Sequence, residues 1–530
     1  MLMLLQGLVV AGGASCMLQI KAPHSSLGFW TTASGIFLAY FFLAQIWRII
    51  VYPRFFSPLR HLPHPRDGHW LWDQTMRILK EPTGVPMRNW LDSTPNDGLL
   101  VYSTWFEQRV LVTNPKGLAE VLATKNYDFE KPKQFSQSLG RFLGLGILFA
   151  ERDEHKRQRK NLMPAFAFRH IKDLYPTFWI KSQEMAELLS ATIKAKSDPG
   201  AAEKNKTQAG PNGLAHPPGA IEVYDWSSRA TLDIIGVAGM DRDFNSLKNP
   251  ANKLNQVYKT IFNPGGVERF TRLLAQFVPI QLVRLLPLKR NAEMSEASSY
   301  IKQVCRDLIA GKREQLSTQK RRSGADVDIL SVALASGGFS DEDLVQKHLR
   351  DQVRPKLASL GDAITAAEID SCSYLQAFCN EVLRVWSPVP LTLRVAAKDT
   401  SILGQFIPKG TPVILCPWAV NLSEKLWGAD AGQFKPERWL DADGHTNNRG
   451  SADSNYSFLT FLHGPRSCIG QKFAQAELAC LVAAWVSRFE TRFEDGGPLA
   501  KGEEPGIATG VTSKPKGGLW VQLAEIEEGH

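Results

Sequence analysis

Cysteine is scarce in this sequence: seven in 530 residues, at Cys16, Cys305, Cys372, Cys379, Cys416, Cys468 and Cys480, with no C-x-x-C pair. An odd count without paired spacing excludes a disulfide framework and points to a reducing, cytosolic setting. Internal repeats are absent, which excludes a solenoid or a propeller. Basic residues do not gather either. The 62 Lys and Arg against 53 Asp and Glu leave a formal charge of +9 that is spread along the chain. A nucleic-acid-binding face concentrates such residues, so nucleic acid is not an expected partner. The densest run, Lys156-Arg157-Gln158-Arg159-Lys160, reads as a solvated helix face. A mild positive excess suits an anionic bilayer surface or an acidic protein partner.

Charge is missing altogether from two N-terminal stretches, residues 1–20 and Gly28–Trp47. About 20 apolar residues at 1.5 Å rise per residue match a bilayer core. A cleaved signal peptide carries a basic n-region, which the first run lacks. Arg48, Arg54, Arg60 and Arg66 follow the second run, with no acid before Asp67. The positive-inside rule then leaves the rest of the chain on the cytosolic side. The first run is either a second span, giving a short hairpin, or a segment lying in the interface. Residues 1–50 therefore read as a membrane anchor. Pro53, Pro58, Pro63 and Pro65 make residues 51–66 a stiff, non-helical spacer. Residues 67–530 form one further domain.

That domain has mostly helical spacing, at about Trp226–Gly239, Ser371–Val385 and after Gly470. Short alternating pieces such as Arg109–Thr113 and Val413–Cys416 read as strands. Residues 196–219 are rich in Ala, Gly, Pro and Lys and read as a surface loop. The expected fold class is mainly α with small β-sheets (α+β).

Two local patterns carry chemistry. Residues 461–470 read Phe-Leu-His-Gly-Pro-Arg-Ser-Cys-Ile-Gly, and the apolar face Phe473, Leu478, Leu481, Val482, Trp485, Val486, Phe489 follows. Cys468 thus stands where a buried helix should begin, a place where backbone N–H groups favour a thiolate. Gly464 and Gly470 allow sharp turns and a close approach of backbone to a flat ligand. Glu381-Val382-Leu383-Arg384 sets an acid and a guanidinium on one helical face. Its apolar flanks, Tyr374, Leu375, Phe378, Val385 and Trp386, argue that the pair is buried.

The first pattern resembles the cytochrome P450 signature F-x-x-G-x-R-x-C-x-G, matched at every fixed position. The second resembles that family's E-x-x-R helix. Phe434–Trp439 (FKPERW) resembles the loop that supplies its third member, here Arg438. The resemblance spans about Leu62 to Leu523 and fits microsomal, fungal-type members. It implies haem b held by Cys468 as the axial iron ligand, with Arg466 on a propionate, Phe461 shielding the sulfur and Gly470 closing the turn. His155 and Arg159 resemble the family's W/H-x-x-x-R pair, and Arg394 another propionate ligand. Glu381, Arg384 and Arg438 become a structural triad. The implied activity is monooxygenation of a lipophilic small molecule in specialised metabolism. Electrons then come from NADPH, used indirectly through a flavoprotein reductase, at the endoplasmic reticulum membrane with the catalytic domain facing the cytosol. Phe135–Phe149, Val389–Leu393 and Ile507–Thr512 are the implied pocket-facing segments.

One implied element is not found. The family's long central helix crosses the distal haem face with a small-residue patch and an acid–alcohol pair, roughly A-G-x-[ED]-T, that manages proton delivery. Ala335-Ser336-Gly337-Gly338 has no Thr and no apolar span, and Ala238-Gly239-Met240-Asp241 lies too early. Ser340–Val345 resembles the capped first turn of that helix, and Gln346–Val353 resembles a later helix. About thirty residues, roughly eight helical turns, are missing at a seam near 345–346. The joined segment Asp341–Leu357 has a single apolar stripe at Val345, Leu349, Val353 and Leu357, too polar elsewhere to cross an interior. Two other outcomes stay open: a haem-thiolate isomerase or dehydratase that needs no reductase, and a catalytically inactive remnant or mis-spliced form.

Overall fold

The structure, a computed structural model, describes residues 2–21, 28–104, 107–133, 135–136, 140, 146–197, 219–262, 293, 296–304, 306–307, 353, 364–493, 506–508 and 512–526. The seam at 345–346 and nearly all of the loop expected at 196–219 lie outside the described residues.

The fold is mainly helical with small sheets. The helices expected from spacing run Val223–Met240, Ser373–Val385 and Gln471–Arg488. Gln471–Arg488 packs against the helix Tyr175–Ser197, where Phe178 meets Phe473 edge-on at 4.8 Å. Each such fully buried ring contributes about 1.5–3 kcal/mol. The apolar face read from the sequence is only part of the burial. Ala476, Ala479, Cys480, Ala483 and Ala484 are also buried, so small side chains let neighbours close on the other sides of this helix. Val223–Met240 is capped by Glu222, which accepts from the N–H groups of Tyr224 (3.2 Å) and Asp225 (2.5 Å).

A second core lies on a five-stranded mixed sheet. Its strands run in the order Leu99–Thr104, Glu107–Val112, Pro412–Leu415, Thr392–Ala396, Phe129–Glu130. Only the Glu107–Val112 to Pro412–Leu415 pairing is parallel. Near-continuous burial of Leu99–Tyr102, Val110–Val112 and Val413–Leu415 shows that both faces are covered. A three-stranded sheet of Ile221–Glu222, Trp520–Glu525 and Phe489–Phe493 ties the C-terminal segment to the helical core.

At the N-terminus, Leu2–Lys21 and Phe29–Ile46 pack as a helical hairpin. Ser15 donates to the Phe29 carbonyl at 3.0 Å. Gly7 lies under Tyr40, where a Cβ would come within 2.8 Å of the ring. One helix among the described residues is long and apolar enough to cross a bilayer, Phe29–Phe56, with mean hydropathy 1.7 over its best window. The expected non-helical spacer does not begin at residue 51. The helix runs on as a π-turn through Trp47–Phe56 with Pro53 inside it. The wider i→i+5 turn absorbs a residue that has no N–H to give.

Deleting residues 1–50 removes the hairpin and nearly all of this apolar length. The truncated chain is expected to leave the carbonate-resistant membrane pellet, whereas unchanged carbonate-resistant pelleting would locate the anchor elsewhere.

Candidate active site

The loop Phe461–Cys468 is closed by the Cys468 N–H, which donates to the Phe461 carbonyl at 2.8 Å. Its turn needs left-handed backbone at Leu462 (φ 56°) and Gly464 (φ 74°). Gly464 sits so close to the Leu122 carbonyl that a Cβ would lie 2.2 Å from its oxygen, so no larger residue fits. Gly470, by contrast, has φ −89° and contributes no unusual turn. The helix starts at Gln471 with Gly470 as its cap, so Cys468 lies just outside the first turn.

That offset changes the thiol's electrostatics. Burial pushes the Cys468 thiol up, and this outweighs the Gly470 N–H and the Arg159 charge that pull it down. The lowering expected from a helix start is therefore reversed in the protein alone. The thiol nevertheless keeps accessible surface.

Basic groups converge around it from separate elements. Arg466 donates to the Phe129 carbonyl at 3.0 Å and pairs with Glu151. Phe129–Glu130 pairs with Thr392–Ala396, which brings Arg394 alongside. Arg394, 3% exposed, donates to Thr392 Oγ1 (3.1 Å) and the Leu393 carbonyl (2.9 Å). Glu151 directly precedes the helix Arg152–Leu162, which carries His155 and Arg159 one turn apart. His155 is buried, and its Nδ1 has no hydrogen-bond partner. Arg159 donates to the Ser467 carbonyl (2.7 Å) and Oγ (3.2 Å), beside the thiol.

The cluster has a further member that the motifs did not reveal. Lys131 follows the strand Phe129–Glu130, and burial, with Arg394 and Arg466 opposing its charge, lowers it to about 8. Burial together with Lys131, Arg466, Arg159 and Arg394 lowers His155 to about 4. Burial and Arg466 bring Arg394 down to about 10. Glu151 is the acid these groups share, and its one charge falls well short of theirs. Such mutual repulsion is costly unless an anion joins the cluster.

A haem fits this chemistry. Its two propionates would meet Lys131, His155, Arg394 and Arg466, and Cys468 would face its iron. Among the described residues no group of three or more His, Cys, Asp or Glu is placed to hold a bare metal ion. A lone thiol suits an iron whose remaining ligands come from a macrocycle.

The E-x-x-R pair lies behind the loop. Glu381 and Arg384 are both fully buried. Arg384 grips the carboxylate with Nη2 at 2.7 Å and Nε at 2.8 Å. Arg438 Nε (3.0 Å), the Lys435 N–H (2.9 Å) and Trp439 Nε1 (2.9 Å) complete the shell. Arg384 Nη1 spans the carbonyls of Asn421 (2.8 Å) and Ala431 (2.7 Å). Asn421 was also not legible from motifs. Its side chain donates to the Arg384 carbonyl (3.1 Å) and Thr460 Oγ1 (2.7 Å) and accepts from the Leu459 N–H (2.8 Å). It thereby ties the triad to the residues just before Phe461.

Arg384→Ala leaves the Glu381 carboxylate buried without its bidentate partner, a loss of about 3–5 kcal/mol. Little folded protein is expected at normal expression; a variant of wild-type thermal stability would show that the pair is dispensable.

Comparison with known proteins bears on this site. A family model described as cytochrome P450 matches residues 99–353 and 345–520, two parts that meet at 345–353. The cytochrome P450 monooxygenase sphH of Aspergillus fumigatus is 40% identical over 520 residues, covering 91% of each chain. The cytochrome P450 monooxygenase FUM15 of Gibberella moniliformis is 38% identical over 558 residues, also covering 91% of each. The cytochrome P450 monooxygenase ALT8 of Alternaria alternata is 35% identical over 593 residues, covering 98% of this chain and 99% of that protein.

Proposed function

Because the chain belongs to the cytochrome P450 family, we propose that its site is built for haem-thiolate monooxygenation of a lipophilic small molecule, in a pathway of specialised metabolism. The observation that carries this reading is the accessible Cys468 thiol set beside a basic cluster in which His155, Arg394 and Arg466 are buried and Lys131 and Arg159 half-buried. A bound haem supplies oxygen activation, which a cysteine thiolate on its iron favours. The chain's residues do the rest. Arg394, Arg466, His155 and Lys131 bind and orient the propionates, and Arg159 holds the Ser467 carbonyl so that the sulfur keeps its aim. Phe461 shields the sulfur from water. The triad Glu381, Arg384 and Arg438 keeps that loop in place from behind.

The supporting partners follow from the same reading. Electrons come from NADPH through a flavoprotein reductase. The helix Phe29–Phe56 supports anchoring at the endoplasmic reticulum membrane, and the arginines after it support a cytosolic catalytic domain. Such a placement lets a lipophilic substrate enter from the bilayer. Val389 is 37% exposed and Leu148 40%, so parts of the proposed pocket-facing segments present apolar surface.

A second reading concerns this chain as it stands: it lacks the family's central helix. The division of the family match into two parts that overlap at 345–353 supports this, because it coincides with the seam read from the sequence. On this reading the acid–alcohol pair of that helix, which guides protons in the family, is missing from the sequence.

The chain as written, mixed with a reductase and NADPH, is expected to oxidise nothing. Inserting the central helix of a close relative after Val345, about thirty residues or eight turns, is expected to restore substrate turnover. Oxidation by the unaltered chain would show that another segment closes the pocket.

A further inference from the structure

A tight turn at His69–Asp73 presents tryptophan to the outside of the molecule. The His69 N–H donates to the Asp73 carbonyl at 3.0 Å, and the Asp73 N–H returns the bond to His69 at 2.8 Å. Asp73 takes a left-handed φ of 42°, a strained choice for a residue with a side chain. Its carboxylate accepts from the Ser103 N–H at 2.6 Å and meets His64 Nε2 at 2.8 Å, which pins the turn to the strand Leu99–Thr104. Trp72 stacks on the His69 ring at 5.1 Å, with the planes 15° apart. On this rigid base Trp70 is 70% exposed and Trp72 38%. A loop so firmly built does not expose its largest apolar side chain through flexibility.

The turn's position indicates what covers it. Arg54, in the last turn of the helix Phe29–Phe56, donates to the Trp70 carbonyl. Phe55 and Phe56 at that helix end, and Met76 and Leu79 one turn apart on the helix Thr75–Lys80 that follows the turn, are exposed apolar side chains as well. Residues 1–66 carry no acid. Asp67 pairs with Arg77, and Asp73 is engaged by His64, so the nearest carboxylates have partners within the protein. Indole rings beside arginines are what the headgroup layer of an anionic membrane accepts, with the ring in the glycerol region and the N–H in the polar zone.

We propose that the turn His69–Asp73 is a second membrane contact. Trp70 inserts into the headgroup layer of the bilayer that holds Phe29–Phe56 and fixes the tilt of the catalytic domain over it. The inference rests on the membrane reading of that helix, and its test separates the two.

The full chain is reconstituted in phosphatidylcholine–phosphatidylserine vesicles, and tryptophan emission is compared between wild type and Trp70→Phe/Trp72→Phe. The difference isolates these two rings, and the conservative change leaves the fold unaltered by circular dichroism. That difference emission is expected to be quenched by a nitroxide on the lipid headgroup and protected from aqueous iodide. If the protein resists carbonate extraction while the difference emission is quenched by iodide and untouched by the nitroxide, the turn faces water and this inference alone falls. If the protein is released by carbonate, the anchor reading and the inference fall together.

Discussion

Glu381 is a carboxylate with no access to water, and the arrangement of the thiol loop depends on how it is satisfied. Its two oxygens accept from Arg384, Arg438, Trp439 and the Lys435 backbone, groups drawn from the helix Ser373–Val385 and from a segment some fifty residues further along the chain. A buried ion pair is a poor source of net stability, because desolvation offsets most of the attraction. Its value lies in intolerance: each donor must be in place, so the segments that supply them are held in one arrangement. Arg384 extends that constraint to the Asn421 and Ala431 carbonyls, and Asn421 passes it to Leu459 and Thr460. Residues 461–468 begin directly after this anchor.

On the other side of the loop the balance runs the opposite way. His155, Arg394 and Arg466 are buried and Lys131 half-buried in surroundings that hold too little negative charge, and the charges of Lys131, Arg394 and Arg466 weaken their neighbours' hold on a proton. One region of the protein is thus fully satisfied and the adjoining one is short of an anion. A dianionic macrocycle facing a thiol would reconcile the two, and that pairing would join the packing of the core to the chemistry of the family.

Much of this was legible in the sequence because it is carried by local spacing. Glu381 and Arg384 are three residues apart on a helix, and Arg466 and Cys468 share one short loop with Gly464, whose backbone conformation and crowding demand glycine. Lys131 was not legible. It stands in an ordinary Glu-Lys-Pro stretch and acquires its neighbours Arg394 and Arg466 only through strand pairing and a long-range hydrogen bond. Asn421 likewise sits in a short helix without a motif and matters because it bridges two distant segments. Two local rules were overridden by context. Pro53 was absorbed by a widened turn rather than ending the helix, and burial outweighed the helix start at the Cys468 thiol. Trp70 belongs to no sequence pattern, since its exposure is a property of the turn that carries it.

The central claim is that Cys468, among the described cysteines, is the sulfur that faces the cofactor. Cys372, Cys379, Cys416 and Cys480 are buried, and burial pushes the Cys379, Cys416 and Cys480 thiols well up from their ordinary range. The most direct measurement is the reduced, carbon-monoxide-treated spectrum of the haem-loaded, helix-restored chain carrying Cys468→Ser, beside Cys379→Ser and Cys480→Ser. The account predicts that the thiolate-type spectrum is lost in the first and kept in the other two. Persistence of that spectrum in Cys468→Ser would contradict it.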